Sequence, residues 1–590
     1  SLINTDAKIF TKMITIRLNA YMPTMINPYQ TGFMPGRLIS DNGWVTRATM
    51  QHYQQLDEKK RLPAVAACFD QEKAYDRIHP EYLTKTLLHF GLPIQLVKSL
   101  HHLFFDTNIS LSINGWLGSP FRQLRGLRQG DPLSPLLFNL AFEPFLRTLL
   151  ATPTLQGIKL DHKQTITRYK QRLMSQPPAT AQVTRSTIKL LAYADDLLIF
   201  FRDTSEWPAA KSLFDLYSKA SNSRVNLQKT YLVSLSGESY AEWINLCNTD
   251  QLEWHDHNNA NAITYLGYPL TSSPKQLDSF LDGTLDKLRR HVNILKPRHL
   301  SVRGASMVAN SLLLSRLWHI LRVVTVPKNW LQRVRTLIRD FVMPFSPFPS
   351  WNTICLKKSN GGLNVVNAHA QQLALQLVYI QRHIRPVSDA DFCTPIQQDL
   401  LHYYFGSHLP EDVSHHHGAI RRLCKKLPCL VTFCDVLAKL PPMPPATSTL
   451  DWTLQVSKNT ATKVMDLSPG SFRQTLHPDH HLTLAPLHPP HWIPMGMRLP
   501  RPVWQSFWRL PIAHKTTTVW WRLLHASLPT RQRQHKQQHP EVTHPMCLLC
   551  NTAVEDDYHF FLGCPVKDHL WLDSWPGPSF PPSQELVWLY

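Results

Sequence analysis

Two adjacent carboxylates, Asp195 and Asp196, interrupt two apolar runs in Leu191-Ala192-Tyr193-Ala194-Asp195-Asp196-Leu197-Leu198-Ile199-Phe200. The pattern predicts strand, acidic turn, strand over 188–201, with both carboxylates at a rigid hairpin tip. Carboxylates held there repel each other and cost desolvation unless a cation neutralises them. Oxygen ligands of this kind select Mg²⁺ or Mn²⁺. Taken alone, the pair also fits a solvated Asp-Asp turn. A third carboxylate shifts the balance. Asp70 follows an apolar run at 63–69, read as a buried strand, and so belongs at a strand's C-terminal end. A strand-end Asp facing a hairpin-tip Asp pair is what two-metal phosphoryl transfer needs, with the ions roughly 3.5–4 Å apart.

A second constellation lies near the C-terminus. Cys547, Cys550, His559 and Cys564 read C-x2-C-x8-H-x4-C, three thiolates and an imidazole that make a closed tetrahedral zinc set. Glu555 and Asp557 in its loop are either neighbours that tune the site or solvated groups. The other seven cysteines are scattered. His415, His416 and His417 precede Cys424, Cys429 and Cys434, but no C-x2-C occurs there, so core thiols beside a solvated His run are the reading.

The elements that must position these groups follow from local patterns. Asp6 is expected to cap a helix with Ile9, Met13, Ile16 and Ala20 on one side. Pro80 opens a helix with Leu83, Leu87 and Phe90 inward, and Gly91 closes it. Asn114-Gly115 between Ile109–Ile113 and Trp116–Leu124 predicts a hairpin. Residues 161–187 are polar and read as a surface insertion. From Leu277 the period becomes helical. Residues 275–345 carry 13 Lys/Arg against 4 Asp/Glu, an excess suited to a phosphate backbone. Between Pro441 and Pro502 there are 12 prolines, which predict a linker or irregular extended region. Residues 501–540 hold no acid and seven Lys/Arg, with Trp504, Trp508, Trp520 and Trp521 interleaved. Those tryptophans suit either base stacking or the core of a small helical domain.

The whole chain agrees. Its 590 residues suggest several domains, and 43% hydrophobic residues argue against wholesale disorder. A net charge of +20 calls for a polyanionic partner. No apolar run is long enough to span a bilayer, which leaves nucleic acid rather than membrane. Scattered cysteines suit a reduced intracellular compartment.

Tyr193-Ala194-Asp195-Asp196 resembles the signature of reverse transcriptases, and other segments follow in the order of the non-LTR (LINE-type) retrotransposon enzymes. Gln30 to Arg37 resembles their fingers motif. Asp70 to Asp76 resembles the palm segment with the first catalytic Asp, and Arg125 to Pro135 the nucleotide-binding segment. Asn226 to Thr230 resembles the next motif, and Tyr265-Leu266-Gly267 the primer grip. Leu300 to Gly304 and Gly361-Gly362-Leu363 resemble downstream segments. The C-terminal set, with Trp520 to His525 before it, resembles their zinc-binding module.

The resemblance implies an α+β right-hand polymerase. Fingers and a palm with an antiparallel sheet would occupy 1–272, a helical thumb and connection 273–385, a Pro-rich irregular connection 386–502, and a small zinc-binding helical domain 503–590. It implies RNA-directed DNA synthesis during target-primed reverse transcription, with an RNA template, a DNA primer or target, dNTPs, two Mg²⁺ (or Mn²⁺) and one Zn²⁺. Asp70 and Asp195 would bridge the two metals, with Asp196 a weaker or structural ligand. Tyr75 takes the steric-gate position against a ribose 2′-OH. Gln129 and Gly130 would line the incoming nucleotide. Lys229 is a candidate proton donor to pyrophosphate or a surface lysine. Arg37 would contact template or triphosphate, or form a structural salt bridge. Upstream fingers residues and an endonuclease domain are expected of the family and are absent from this sequence, so a partner is expected to supply the nick. The nucleus is the expected place of reaction, with a cytoplasmic ribonucleoprotein as the other. A decayed RNA-binding remnant and a group II intron maturase-like protein are the alternatives.

Overall fold

The computed structural model describes residues 3–56, 61–105, 107–160, 187–385, 391–405, 428–441, 452–457, 460–477 and 499–570. The segment 161–186, the His415–His417 run, Cys424 and Trp571 lie outside the described residues.

A five-stranded sheet organises the first 255 residues. Its strands are β1 (Val65–Phe69), β2 (Leu190–Tyr193), β3 (Asp196–Phe201), β4 (Tyr231–Ser234) and β5 (Glu253–His255), in the order β5-β4-β1-β3-β2. All neighbours are antiparallel except β4 and β5. The central strands are apolar at successive positions because both faces are covered. Val65, Ala67, Phe69, Leu197, Ile199 and Phe201 enter one core, while Ala66, Leu198 and Phe200 enter another. The period of two thus feeds two separate cores from one sheet.

Helix α1 (Thr5–Asn19) forms, but Asn4 rather than Asp6 is its N-cap residue, and the apolar side faces outward. Ile9, Met13 and Ile16 are 58%, 54% and 61% exposed, and the inner stripe is Thr11, Thr15 and Leu18. Periodicity identifies a stripe but not the direction it faces. Here the Thr stripe turns inward, because threonine hydroxyls can satisfy themselves on the helix's own carbonyls, as Thr15 does on Thr11.

Helix α2 (Ile39–Gln54) is buried all round, with 13 of its 16 residues inside. Several of its polar side chains are spent on backbone and ion-pair partners: Asn42 Nδ2 on Ala192 O at 3.0 Å, Arg47 on Pro269 O at 2.8 Å, Asp41 on Arg382 at 2.5 Å. Such pairing is what makes their burial tolerable. Helix α3 (Ser134–Ala151) packs in the core on the opposite side of the sheet, and α4 (Ala368–Ile384) covers α2.

The predicted hairpin is present. Asn114 and Gly115 take φ of 51° and 87°, Ile113 pairs with Trp116, and Thr107–Ile109 pairs with Phe121–Gln123. The basic region 275–345 is helical, with Pro274–Leu295 and Lys328–Val342 as its longest helices.

The stretch 386–502 differs from the irregular connection expected. Its described parts hold helices at Cys393–Phe405 and Pro428–Leu437, a hairpin of Thr453–Ser457 with Thr460–Lys463, and a helix at Pro469–Thr475. Trp452, Val464, Leu467 and Phe472 join the same core as α2 and α4. Of the prolines that suggested a linker, Pro441 and Pro500 lie outside these elements and Pro469 begins a helix, and most of the rest lie outside the described residues. Cys429 and Cys434 are core thiols there, as expected.

The tryptophans at 504, 508 and 521 are core residues rather than a stacking platform. Trp504 and Trp521 are fully buried and Trp508 is 8% exposed. They lie on α5 (Arg501–Phe507) and α6 (His514–Leu524), or just after α5, and close the core of the basic helical region. Trp521 Nε1 and His525 Nε2 both donate to Gly361 O at 2.8 Å, and Trp508 Nε1 donates to Lys358 O at 2.9 Å. Arg303 donates to Trp508 O at 2.9 Å. The segments around Arg303 and Gly361 are therefore the seat of the C-terminal helices. Gly361 has φ +84°, and a Cβ on it would meet Trp504 at 2.7 Å.

Candidate active site

The β1–β3 register pairs Phe69 with Leu197, and one more step sets Asp70 opposite Asp196. On the other side of β3, Tyr193 pairs with Asp196, so Ala194 and Asp195 form a two-residue turn. Ala194 takes φ +53°, a left-handed conformation that costs a non-glycine residue about 1–2 kcal/mol. All three carboxylates thus gather at one end of two adjacent strands.

Their electrostatics show the crowding. Burial raises the Asp195 carboxyl, and the Asp70 charge raises it further. Asp196 is pushed up to about 6, first by desolvation, then by Asp195 and Asp70. Among the described residues no Lys or Arg forms an ion pair with any of the three. Like charges without a counter-charge are a set that cations relieve. The donor chemistry fits hard divalent ions of the Mg²⁺ type.

Tyr75 reaches this centre. Asp195 and Tyr193 add to the burial that raises its hydroxyl, and its ring stacks on Phe138 with centroids 4.6 Å apart. The loop that begins the 125–135 segment is tied to the same place. Leu127 N donates to Tyr75 O at 2.8 Å and Gly126 N to Ile78 O at 2.9 Å. Gly126 has φ +85°, and a Cβ would meet Asp76 O at 2.6 Å, so only glycine permits this approach. Gln129 and Gly130 follow on the exposed part of the loop, anchored by Ser134 Oγ to Arg128 O at 2.7 Å. Lys229 is exposed at the end of a short turn whose start is fixed by Asn226 N donating to Asp70 O at 2.8 Å.

Arg37 is a correction. Its guanidinium donates to the carbonyls of Asn27, Gln30 and Ile26, at 2.5, 2.6 and 3.1 Å. Among the described residues it forms no ion pair, and its two terminal nitrogens turn inward to these carbonyls rather than outward as the sequence suggested. The guanidinium is occupied in holding the bend at 26–30.

Of the residues that support the site, Gln30 opens the Gln30–Arg37 motif, whereas Asn42 and His319 carried no signal in the sequence. Gln30 and Asn42 contact the backbone of the acidic hairpin. His319 supports the Tyr265-Leu266-Gly267 turn, where Leu266 and Gly267 take φ of 51° and 79°. Its Nε2 donates to Leu266 O at 2.9 Å, and its ring stacks on Tyr268 at 4.1 Å. These contacts join segments far apart in sequence, so no local pattern announces them.

At the other end, the ligand atoms of Cys547, Cys550, His559 and Cys564 all lie within 4.8 Å of one another, the one such group of three or more among the described residues. Cys547 and Cys564 sulfurs are 4.0 Å apart, and Cys550 Sγ is 3.2 Å from His559 Nε2. A tetrahedral ion with Zn–S near 2.3 Å needs sulfurs about 3.8 Å apart, so the set fits zinc. Hydrogen bonds from Thr552 bring the Cys550 thiol down to about 6, toward the thiolate that metals bind. Glu555 and Asp557 are neither solvated nor placed to tune the ion. Glu555 accepts from Arg531 N at 3.0 Å and Asp557 pairs with Arg533 at 2.6 Å, tying the knuckle to α7 (Arg531–Lys536). Asp556, unremarked in the sequence, accepts from His559 N at 2.7 Å.

An acidic hairpin on an antiparallel sheet, a basic helical region and a zinc knuckle define a nucleic-acid polymerase of the right-hand class. Residues 1–270 match the family of reverse transcriptase (RNA-dependent DNA polymerase), and residues 495–571 match the family of zinc-binding in reverse transcriptase. The chain thus carries a reverse transcriptase domain and the zinc-binding module that goes with it, and its relatives are proteins of non-LTR retrotransposons. It is 28% identical over 401 residues to the transposon TX1 uncharacterized 149 kDa protein of Xenopus laevis, covering 67% of this chain and 28% of that one. It is 24% identical over 348 residues to the Pol polyprotein from the type-2 retrotransposable element R2DM of Drosophila melanogaster, covering 56% of this chain and 29% of that one. This chain thus spans under a third of the length of both relatives. Apo telomerase from Candida tropicalis aligns with 75% of this chain and 61% of its own, at 11% identity and a TM-score of 0.33, too low to set residue against residue.

Proposed function

We propose that this chain extends a DNA primer on an RNA template by adding deoxynucleotides, as the polymerase of target-primed reverse transcription. The observation that carries the reading is the convergence of Asp70, Asp195 and Asp196, mutually repelling and without a cationic partner among the described residues, in a chain of this family. Two Mg²⁺ or Mn²⁺ ions, when bound, supply positive charge to the attacking and leaving oxygens. Asp70 and Asp195 hold that charge between them, and Asp196 contributes from the opposite strand position. Tyr75 closes the space beside the sugar, with Gln129 and Gly130 on the neighbouring loop. Lys229, at the end of the turn that Asn226 ties to Asp70, would be the group to protonate departing pyrophosphate.

We read 1–272 as fingers and palm and 273–385 as the basic thumb that tracks the duplex. In this reading the described parts of 386–477 cover α2 and α4, and 503–590 is the zinc-binding end. A nuclear site of action and a nick made by an endonuclease outside these residues go with it. Primer extension on an RNA template with Mg²⁺ and dNTPs tests the reading. Templated cDNA is expected. RNA binding without any extension would instead identify an RNA-binding remnant.

A further inference from the structure

We propose that Gln30 is the positioning residue that sets the Asp195 turn, and through it the metal-holding geometry of the acidic centre. This rests on the polymerase reading above and adds to it a residue that touches no substrate.

The argument begins with the turn. Ala194 lies at φ +53° without being glycine, so something outside the turn must hold it there. Gln30 grips this residue from both sides. Its Oε1 accepts from Ala194 N at 2.8 Å, and its Nε2 donates to Ala194 O at 3.1 Å. Those are the two backbone polar groups of the residue immediately before Asp195. The same Oε1 accepts from Gly32 N at 3.0 Å, which fixes the rotation of the amide.

The surroundings admit only this arrangement. Gln30 is fully buried, so its amide has no water to turn to. Gly32 lies so close that a Cβ would meet Ala194 N at 2.3 Å. The backbone beside Gln30 runs as a short extra strand along β2, with Ala192 N donating to Tyr29 O at 3.0 Å and Thr31 N donating to Ala192 O at 2.9 Å. The 29–32 segment is thus the frame on which the turn is mounted.

The amide type matters. A glutamate there would offer no donor to Ala194 O and would put a fourth negative charge beside three carboxylates. A methionine would fill the space and make neither bond. Without the clamp Ala194 is free to relax toward negative φ, which re-aims the next side chain, Asp195.

The test compares wild type, Gln30→Met and Asp195→Asn, each loaded with zinc and checked by thermal melting. Mn²⁺ binding is read by electron paramagnetic resonance in the absence of nucleotide, and primer extension is read separately. The expected result is that Gln30→Met weakens Mn²⁺ binding at least fivefold, toward the level of Asp195→Asn. The extension rate should fall at least tenfold, with RNA affinity within about twofold of wild type. Should Gln30→Met fail to fold, Gln30→Leu, which is also uncharged and makes neither bond, takes its place with the same readouts. Mn²⁺ affinity unchanged in the folded variant overturns the proposal, whatever the extension rate. If wild type extends no primer yet Gln30→Met still loses Mn²⁺, the clamp stands and the polymerase reading falls.

Discussion

Tyr75 stacks on Phe138, planes within 16°, with its hydroxyl in the field of Asp195. A ring fixed in that way cannot yield to a 2′-hydroxyl. Tyr75→Val should raise ribonucleotide over deoxynucleotide incorporation by at least tenfold, measured in parallel primer extensions. It should also destabilise the fold by on the order of 2 kcal/mol, because Phe138 is left without the ring that packs on it. A lower melting temperature with an unchanged ratio would leave Tyr75 a packing residue only. At this scale the sequence showed the aspartates well, because a charged pair between two apolar runs has few folded solutions. It did not show Arg37 truly, since an arginine in a glycine-flanked motif reads the same whether it faces phosphate or, as here, three carbonyls.

Helix α6 and the Gly361 turn meet through His525. Burial drives this imidazole down to about 4, and its Nδ1 has no partner among the described residues to hold a second proton. The unfolded chain titrates at the ordinary 6.5, so the neutral side chain's contribution is full above that pH and is lost as pH falls toward 4. The loss is on the order of 3 kcal/mol across that window. Urea unfolding followed by tryptophan fluorescence should show wild type weakening from pH 6.5 to 4 more than His525→Gln. Equal pH slopes would remove His525 from the docking. Gly361→Ala should be destabilising by about 2 kcal/mol, since it combines a positive φ with a clash on Trp504. The strands at 63–69 and 188–201, the Asn114-Gly115 hairpin, and the helices after Asp6, after Pro80 and through 275–345 were legible from period and turn residues, whereas α2, α3 and α4, buried on most sides, offered no amphipathic period to read. The Trp504–Trp521 set was not, because burial and base stacking call for the same aromatic, and only the bonds to Lys358 and Gly361 decide. The folded parts of 386–477 were hidden by a proline-rich composition, which says nothing of apolar residues such as Trp452, Val464 and Phe472 that join the core.

Across the whole molecule the two C-terminal parts are held differently. Helices α5 and α6 bury Trp504 and Trp521 in the basic helical core, whereas the knuckle after residue 530 leans on its four ligands and two acidic ties to α7. About one zinc per chain is expected. Cys550→Ser or chelation should unfold the knuckle while leaving α5, α6 and the palm in place, because metal binding energy is folding energy only where little else packs. Hydrogen exchange resolves the two: protection lost after 530 and kept at 514–524 is the expected map, and loss across both would merge them into one unit. Extension should persist in that variant. The central claim is that Asp70, Asp195 and Asp196 form the metal-holding centre of an RNA-templated polymerase, and it concentrates on one substitution. Asp195→Asn keeps size and removes a charge. In single-turnover primer extension on RNA with saturating Mg²⁺, the account predicts a rate at least a thousandfold below wild type with RNA binding intact. A rate within tenfold of wild type would contradict it.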